Sequence, residues 1–103
     1  MLLLSIDHIP GKEFEVLGLV DGSVVQSGDA GSKFAVGMQV LVGGEIGEYT
    51  KLLSEARQKA VERMMAAAEA MHADAVINIR YSSCAIMEGA AEIIAYGTAV
   101  KYV

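Results

Sequence analysis

The sequence predicts an α+β fold, in which a small antiparallel sheet packs on one long helix and a short helix precedes the long one. Two observations carry this prediction. Residues 48–72 have apolar side chains at helical spacing and contain neither Gly nor Pro. Segments rich in Val, Leu, Ile and Tyr, with the character of strands, lie on both sides of this stretch. At 103 residues the chain has the length of one domain, residues 1–103.

The first predicted elements are a turn at Pro10-Gly11 and extended chain from Glu13 to Ser27. Asp21-Gly22 interrupts the extended stretch and admits two interpretations, a type I′ hairpin turn or a bulge within one long strand. Few apolar residues stand on either side of this dipeptide, so the pattern favours the bulge.

The segment KFAVGMQVLVGG is ambiguous between helix and strand. Phe34 and Met38 recur at helical spacing, whereas Val36 and other β-branched residues favour a strand. We predict a short helix that ends at the glycine pair Gly43-Gly44, because glycine readily adopts the left-handed conformation that terminates helices.

The glycine pair itself admits two roles, a phosphate-binding loop or a turn between two helices. No Gly-Lys-Ser/Thr follows it and no GxGxxG occurs in the chain. Glu45 and Glu48 stand at the start of the long helix, where they complement the helix dipole and would repel a phosphate. The turn is therefore favoured, and we place it near a subunit contact.

The long helix is predicted from Glu48 to His72, where a histidine side chain at the C-terminus would interact with the exposed carbonyl groups. That capping role is favoured over metal ligation for His72. The apolar stripe of this helix follows three- and four-residue steps. Its members are Tyr49, Leu52, Leu53, Ala56, Ala60, Met64, Ala67 and Met71.

An antiparallel hairpin closes the chain. In AVINIRY the alternation places Ile77, Ile79 and Tyr81 on one face, with Asn78 and Arg80 on the other. We extend this strand to Met87, place a turn at 88–91 and predict a last strand at 92–103.

The last strand has two unlike faces. Ala95, Gly97 and Ala99 form a small face that suits close approach of the Ala-rich helix. The other face carries larger, strand-preferring side chains. They are Ile94, Tyr96, Thr98, Val100 and Tyr102. One helix covers only one side of a sheet, so we expect a neighbouring subunit to cover the larger face.

Composition excludes several function classes. The net charge is −5 and the basic residues are scattered, so we expect no binding to nucleic acid or to an anionic membrane surface. The N-terminal MLLLSIDHIPG lacks the basic leader of a signal peptide, and no apolar stretch has the length of a membrane helix. The single cysteine, Cys84, cannot form an internal disulfide. A cytoplasmic protein is expected.

Few residues are candidates for metal binding or catalysis. Cys84 is interpreted first as an inert thiol, although copies of the chain around a symmetry axis would bring several thiolates together for a soft metal ion. His8 beside Asp7 is a common surface pair. Ser82 and Ser83 lie in no GxSxG elbow, and no HxxxH, CxxC or HExxH spacing occurs. The sequence therefore does not predict an enzyme.

The chain resembles the YbjQ-like family, whose members are described as "putative heavy-metal-binding". The resemblance spans about Glu13 to Lys101. It rests on the order and spacing of Gly43-Gly44 with Tyr49 downstream, Ala-Asp-Ala-Val at 73–76, and Gly-Thr-Ala-Val at 97–100.

The resemblance implies a dodecin-like subunit in a homopentameric ring. It also implies a divalent or soft heavy-metal ion, or a small ligand, bound where subunits meet. In this chain the candidate ligand or interface residues are Gly43, Gly44, Glu45, Tyr49, Arg80 and Tyr96, and the candidate metal ligands are His72 and Cys84. Cys84 is not part of the family pattern. The alternatives are a scaffolding oligomer without ligand and an enzyme with an interfacial site formed by Arg80, Tyr96 and the Glu45–Tyr49 turn of an adjacent chain.

Two departures from the family pattern bear on this site. Glu45 stands where relatives often have Arg, and Asn78 and Arg80 stand where acidic residues are usual. If these positions form a family site, the site is altered or lost in this chain.

Overall fold

The computed structural model describes residues 1–26, 47–87 and 90–103 of the chain. Within these ranges the backbone forms four strands and one helix, which confirms the α+β class. The elements are β1 (Leu2–Leu3), β2 (Phe14–Gln26), α1 (Gly47–Ala70), β3 (Ala75–Met87) and β4 (Ala90–Tyr102). The predicted short helix and the Gly43-Gly44 turn lie outside the described residues.

The four strands form one mixed sheet in the order β1-β3-β4-β2. The two neighbours of β4 are antiparallel to it, whereas β1 pairs with β3 in parallel. The prediction of a purely antiparallel sheet is therefore wrong at this edge. Leu2–Leu3 is too short to show an alternation, so the sequence pattern could not reveal it as a strand.

Asp21-Gly22 lies within one continuous strand, where Gly22 pairs with Ala95 of β4. The hairpin interpretation is excluded, and the bulge of β2 lies between Val16 and Gly18 instead of at Asp21-Gly22. Gly22 is needed for close approach of the helix. A Cβ atom added there would lie 2.8 Å from the Cβ of Arg63 and nearer still to backbone atoms of Ala60 and Met64.

Helix α1 runs from Gly47 to Ala70 and ends in a Schellman motif. The N–H of Ala73 donates to the carbonyl of Ala68 at 3.1 Å, and the N–H of His72 donates to that of Glu69 at 3.0 Å. His72 has a φ of 60° and occupies the left-handed position that usually belongs to glycine. The helix thus ends two positions before the predicted end at His72.

The sheet has a helix face, which packs on α1, and an outer face, which points away from α1. The predicted small face of β4 is confirmed as the helix face, since Ala95 and Ala99 are buried there. Their close packing is made possible by the small residues of α1. The buried residues of this core are Val20, Val24, Ala56, Ala60, Met64, Ala68, Val76, Ile93, Ala95 and Ala99.

A bulge at Asn78 exchanges the faces of β3. Asn78 has a φ of 54°, a left-handed conformation that asparagine tolerates, and the pairing with β4 shifts between Ile77 and Arg80. Ile77 therefore packs on the outer face while Ile79 packs on the helix face. The prediction that both residues share one face is wrong, because strict alternation takes no account of a bulge.

The N-terminal segment covers one end of the outer face. Ile9 is buried there against Ala75, Ile77 and Val100, with Leu4, Phe14 and Tyr102 around them. The turn at Pro10-Gly11 is confirmed and is closed by a hydrogen bond from the N–H of Lys12 to the carbonyl of Ile9 at 3.1 Å. We expected a neighbouring subunit to cover the larger face of β4, and at this end the N-terminal segment of the same chain covers it instead.

Candidate functional site

The β3–β4 hairpin brings together four of the chemically active side chains. Arg80 lies directly opposite Tyr96, and Cys84 lies directly opposite Glu92. Residues directly opposite in an antiparallel pair have Cβ atoms about 4.5–5.5 Å apart and point to the same side of the sheet. Both pairs therefore belong to the outer face, which makes this face of the hairpin the candidate site.

Arg80 also holds the N-terminal segment against β3. Its Nη1 donates to the carbonyl of Ser5 at 2.8 Å and to that of Ile79 at 3.0 Å. Beside it, the N–H of Asn78 donates to the carbonyl of Ile6 at 2.9 Å. The guanidinium thus has a structural role at the bulge.

The two predicted metal ligands lie at opposite ends of the structure. His72 is exposed at the C-terminus of α1, just before β3 begins, and Cys84 is an exposed free thiol near the far end of β3. At about 3.3 Å per residue, Ala75 and Cys84 are roughly 30 Å apart along the strand. His72 and Cys84 of one chain therefore cannot bind the same ion.

Most of the other predicted ligand or interface residues are not described by the structure. Gly43, Gly44 and Glu45 lie outside the described residues. Tyr49 lies in the first turn of α1, and its side chain also falls outside them. The Asp7–His8 pair is present at the surface, where the hydrogen bond from His8 Nδ1 to Asp7 Oδ1, 3.1 Å long, is the main cause of a lowered Asp7 pKa.

A cleft that the sequence did not predict lies on the helix face, between α1 and β3. We call it the α1–β3 cleft. It has a volume of about 230 Å³ and is lined by Leu53, Arg57, Tyr81, Ser82, Ser83 and Ile93. The i,i+4 spacing of Leu53 and Arg57 places both on one side of α1. No pattern in the sequence indicates which strand that side of the helix meets.

Comparison with known proteins decides the family. The family model described as "Putative heavy-metal-binding" matches residues 1–103, which is the whole chain. This chain belongs to the YbjQ-like family. The resemblance noted from the glycine pair and the Ala-Asp-Ala-Val run is thereby confirmed.

The YbjQ-like chain is also similar to several UPF0145 proteins over nearly its full length. It is 52% identical to one from Clostridium novyi over 101 residues, with 98% of each chain covered. It is 50% identical to one from Alkaliphilus metalliredigens over 103 residues, with both chains fully covered. A Thermotoga maritima relative is 53% identical over 102 residues, covering 98% of this chain and 96% of the relative.

A solved structure of another protein has a similar fold. A protein of unknown function from Pediococcus pentosaceus superposes with a TM-score of 0.67 at 14% identity, covering 100% of the YbjQ-like chain and 98% of its own. At this identity the likeness concerns the fold alone. Within the described ranges, the YbjQ-like chain also has no helix that is both long and apolar enough to cross a bilayer.

The heavy-metal description of the family can be tested against the donor groups present. A closed zinc site takes four ligands, and a catalytic one still takes three from the protein. Among residues 1–26, 47–87 and 90–103, no three His, Cys, Asp or Glu side chains lie close enough to hold one ion. The Cys84–Glu92 pair supplies two donors. The described part of one chain therefore does not fit a resident metal ion.

Proposed function

We propose that the YbjQ-like chain is the subunit of a cytoplasmic homo-oligomer, a pentamer of dodecin-like subunits, which binds a small ligand or metal ion where subunits meet and catalyses no reaction. The observation that carries this proposal is the exposed apolar surface on the outer face of the sheet. Support also comes from strand edges that no described strand covers and from the pairing of Arg80 with Tyr96.

The outer face carries large apolar side chains in solvent. Leu19 is 74% exposed, Val25 is 52% exposed and Tyr96 is 38% exposed. The register places Leu19 opposite Thr98 and Val25 opposite Glu92, so these residues follow β4 on the side away from α1. Asp21 and Ser23 lie between Leu19 and Val25 on the same face of β2. Exposed apolar side chains among polar ones on one face are consistent with a contact with another protein. A second copy of the chain would bury them.

The strand edges favour a ring. β2 is the edge strand on one side of the sheet. On the other side, β1 covers only the start of β3, and no described strand pairs with the outer edge of residues 80–87. Two different edges that pair between neighbouring copies form a heterologous contact, which closes into a ring when the rotation per copy permits.

The elongated shape of the described part of the chain also favours assembly. The Cα radius of gyration is 16.1 Å, whereas a compact domain of this length has about 13 Å. The far half of the β3–β4 hairpin contributes exposed residues on β3 from Arg80 to Ile86. Packing of the outer-face residues of this segment, Arg80, Ser82 and Cys84, against a neighbouring copy would supply contacts that the described part of one chain does not provide.

A metal ion is compatible only with several copies of the chain. Cys84 and Glu92 from two or more subunits would provide the three or four ligands that soft divalent ions require. A scaffolding oligomer without ligand is the second candidate. An enzyme built from Arg80, Tyr96 and the Glu45–Tyr49 turn of an adjacent chain is the third, and the Arg80–Tyr96 pair is the observation that favours it.

Native mass spectrometry of the protein as purified from cells, without added metal, tests the assembly. We expect a complex of about 54.5 kDa, five times the chain mass of 10.9 kDa. Tyr96→Ala should shift the protein to smaller species, because it removes a large apolar side chain from the centre of the contact. Tyr81→Ala is the matched control, since Tyr81 is an exposed tyrosine on the helix face.

The outcomes separate the candidates. A pentamer that retains extra mass supports the ligand-binding proposal, and loss of that mass in Cys84→Ser assigns it to a metal ion held by the thiol. A pentamer without extra mass favours the scaffold. A monomeric wild-type protein, or a Tyr96→Ala variant with unchanged oligomer mass, contradicts the assembly proposed here.

A further inference from the structure

We propose that the α1–β3 cleft binds a small organic anion, a carboxylate attached to an apolar body. This inference goes beyond the proposed function. The cleft lies on the helix face of the sheet, opposite the proposed contact between copies, and all of the residues that line it come from one chain. Failure of one proposal therefore leaves the other standing.

The shape of the cleft follows from the path of α1 across the sheet. Gly22, Ala95 and Tyr81 form one row across β2, β4 and β3. The helix makes its close approach at Gly22, so it lies over β2 and β4 and leaves a wedge above β3. Tyr81 is 55% exposed as a result. The volume of about 230 Å³ is below the roughly 300 Å³ at which sites for drug-sized ligands begin, so a smaller ligand fits.

Arg57 gives the cleft its charge. Its Nη2 lies 3.3 Å from Ser54 Oγ, which is a neutral acceptor. The neighbours of Arg57 three and four positions away on the helix are Leu53, Ser54, Ala60 and Val61, all uncharged. Among the described residues, no carboxylate forms an ion pair with its guanidinium. Arg57 therefore has no carboxylate partner among the described side chains. The carboxylate of an anionic ligand would supply that partner.

The remaining walls select the rest of the ligand. Leu53 and the buried Ile93 provide an apolar floor. The ring of Tyr81 offers a flat surface for an aromatic or aliphatic body. Ser83, which is opposite Ile93, provides a hydroxyl group at the rim, where it can hydrogen-bond the second carboxylate oxygen or a polar substituent. Ser82 is opposite Ile94, so its side chain belongs to the outer face. A few polar groups around an apolar floor are the usual arrangement of a small-molecule site.

Benzoate is a suitable probe, with methyl-labelled protein and NMR spectroscopy as the readout. The methyl groups of Leu53 and Ile93 report on the cleft, and those of Leu19 and Val25 on the outer face. We expect benzoate to shift the cleft signals in a saturable manner while the outer-face signals stay unchanged. Benzamide, which lacks the charge, and acetate and inorganic phosphate, which lack the apolar body, should each bind at least tenfold more weakly.

Two variants assign the binding to Arg57. Arg57→Gln should weaken benzoate binding about tenfold or more, because charge-assisted hydrogen bonds are lost. Lys59→Gln makes the same change in net charge on a neighbouring exposed position of α1 and should leave the affinity unchanged. Three results would each overturn the proposal. The first is unchanged benzoate binding to Arg57→Gln, and the second is a set of shifts that map outside the cleft. The third is the absence of a saturable shift of the Leu53 and Ile93 methyls at benzoate concentrations up to roughly 10 mM, about ten times a weak Kd of about 1 mM.

Discussion

Replacing Gly22 by Ala places a methyl group at the point where α1 crosses the sheet. The added Cβ would lie 2.8 Å from the Cβ of Arg63, and nearer still to the carbonyl oxygen of Ala60 and the backbone nitrogen of Met64. Carbon atoms in good contact lie about 3.5–4.0 Å apart. Two of the three clashing atoms belong to the helix backbone, so a change of side-chain rotamer cannot relieve the clash. The whole helix has to move outward.

The cost of this movement can be estimated. Overpacking a core costs about 1–3 kcal/mol, and a clash with backbone atoms belongs at the upper end of that range, about 3 kcal/mol. For a domain of this size 1 kcal/mol corresponds to about 4–8 °C in Tm, so the expected decrease in Tm is roughly 12–24 °C. Folded domains are stabilised by only about 5–15 kcal/mol in total, so the variant should be folded but clearly weakened.

Thermal unfolding followed by circular dichroism measures the effect. The chain concentration is held fixed because the proposed assembly would make Tm depend on it. Gly11→Ala is the control. An added Cβ at Gly11 meets no atom within 4 Å, although its φ of 76° makes alanine unfavourable there. That strain should cost about 1 kcal/mol. A Gly22→Ala variant that unfolds within about 4 °C of the wild-type protein would refute the close approach of α1.

Two further predictions concern the ends of α1 and β4. His72→Gly should stabilise the protein by about 1 kcal/mol, because glycine adopts the left-handed conformation of the Schellman motif without strain. Urea unfolding measures this change. The control is His72→Ala, which removes the imidazole but keeps the backbone strain and should not stabilise the protein. Asp74→Ala should destabilise by about 1–2 kcal/mol, because Asp74 Oδ2 accepts the N–H of Tyr102 at 2.8 Å. Asp74→Asn retains an acceptor oxygen, so its decrease in stability should be smaller. If the Tyr102 amide exchanges hydrogen faster in Asp74→Ala but not in Asp74→Asn, the lost stability is due to this hydrogen bond.

The bond from Asp74 also gives a physical reason for the Ala-Asp-Ala-Val run. The carboxylate accepts the N–H of Tyr102 from β4, and the N–H of Asp74 donates to the carbonyl of Val100 at 2.8 Å. Ala75 and Val76, which follow, are fully buried on opposite faces of the sheet. The run therefore joins the start of β3 to the end of β4 and needs small or apolar residues on both sides.

Part of the candidate site was predictable. Arg80 and Tyr96 were identified as ligand or interface residues, and they lie directly opposite each other on the outer face. The sequence pattern on β4 also predicted that Tyr96 belongs to an uncovered apolar face. By contrast, the sequence did not indicate Arg57 as a site residue. The pattern around an exposed arginine on an amphipathic helix is the same whether or not a strand lies beside it.

The sequence by itself determined the features that depend on local periodicity. The helical spacing between Glu48 and His72 and the small-versus-large alternation of β4 are properties of neighbouring residues, so they could be read without coordinates. Both correspond to observed elements, α1 and the two faces of β4.

Only the tertiary structure decided the features that depend on contacts between distant segments. The bulge at Asn78 is stabilised by the N-terminal segment, through the hydrogen bond to Ile6. Gly22 has no role in a turn and is required because α1 passes over it. The α1–β3 cleft exists because the helix lies over β2 and β4 and not over β3. Each of these depends on packing geometry between parts of the chain far apart in sequence, which no local pattern encodes.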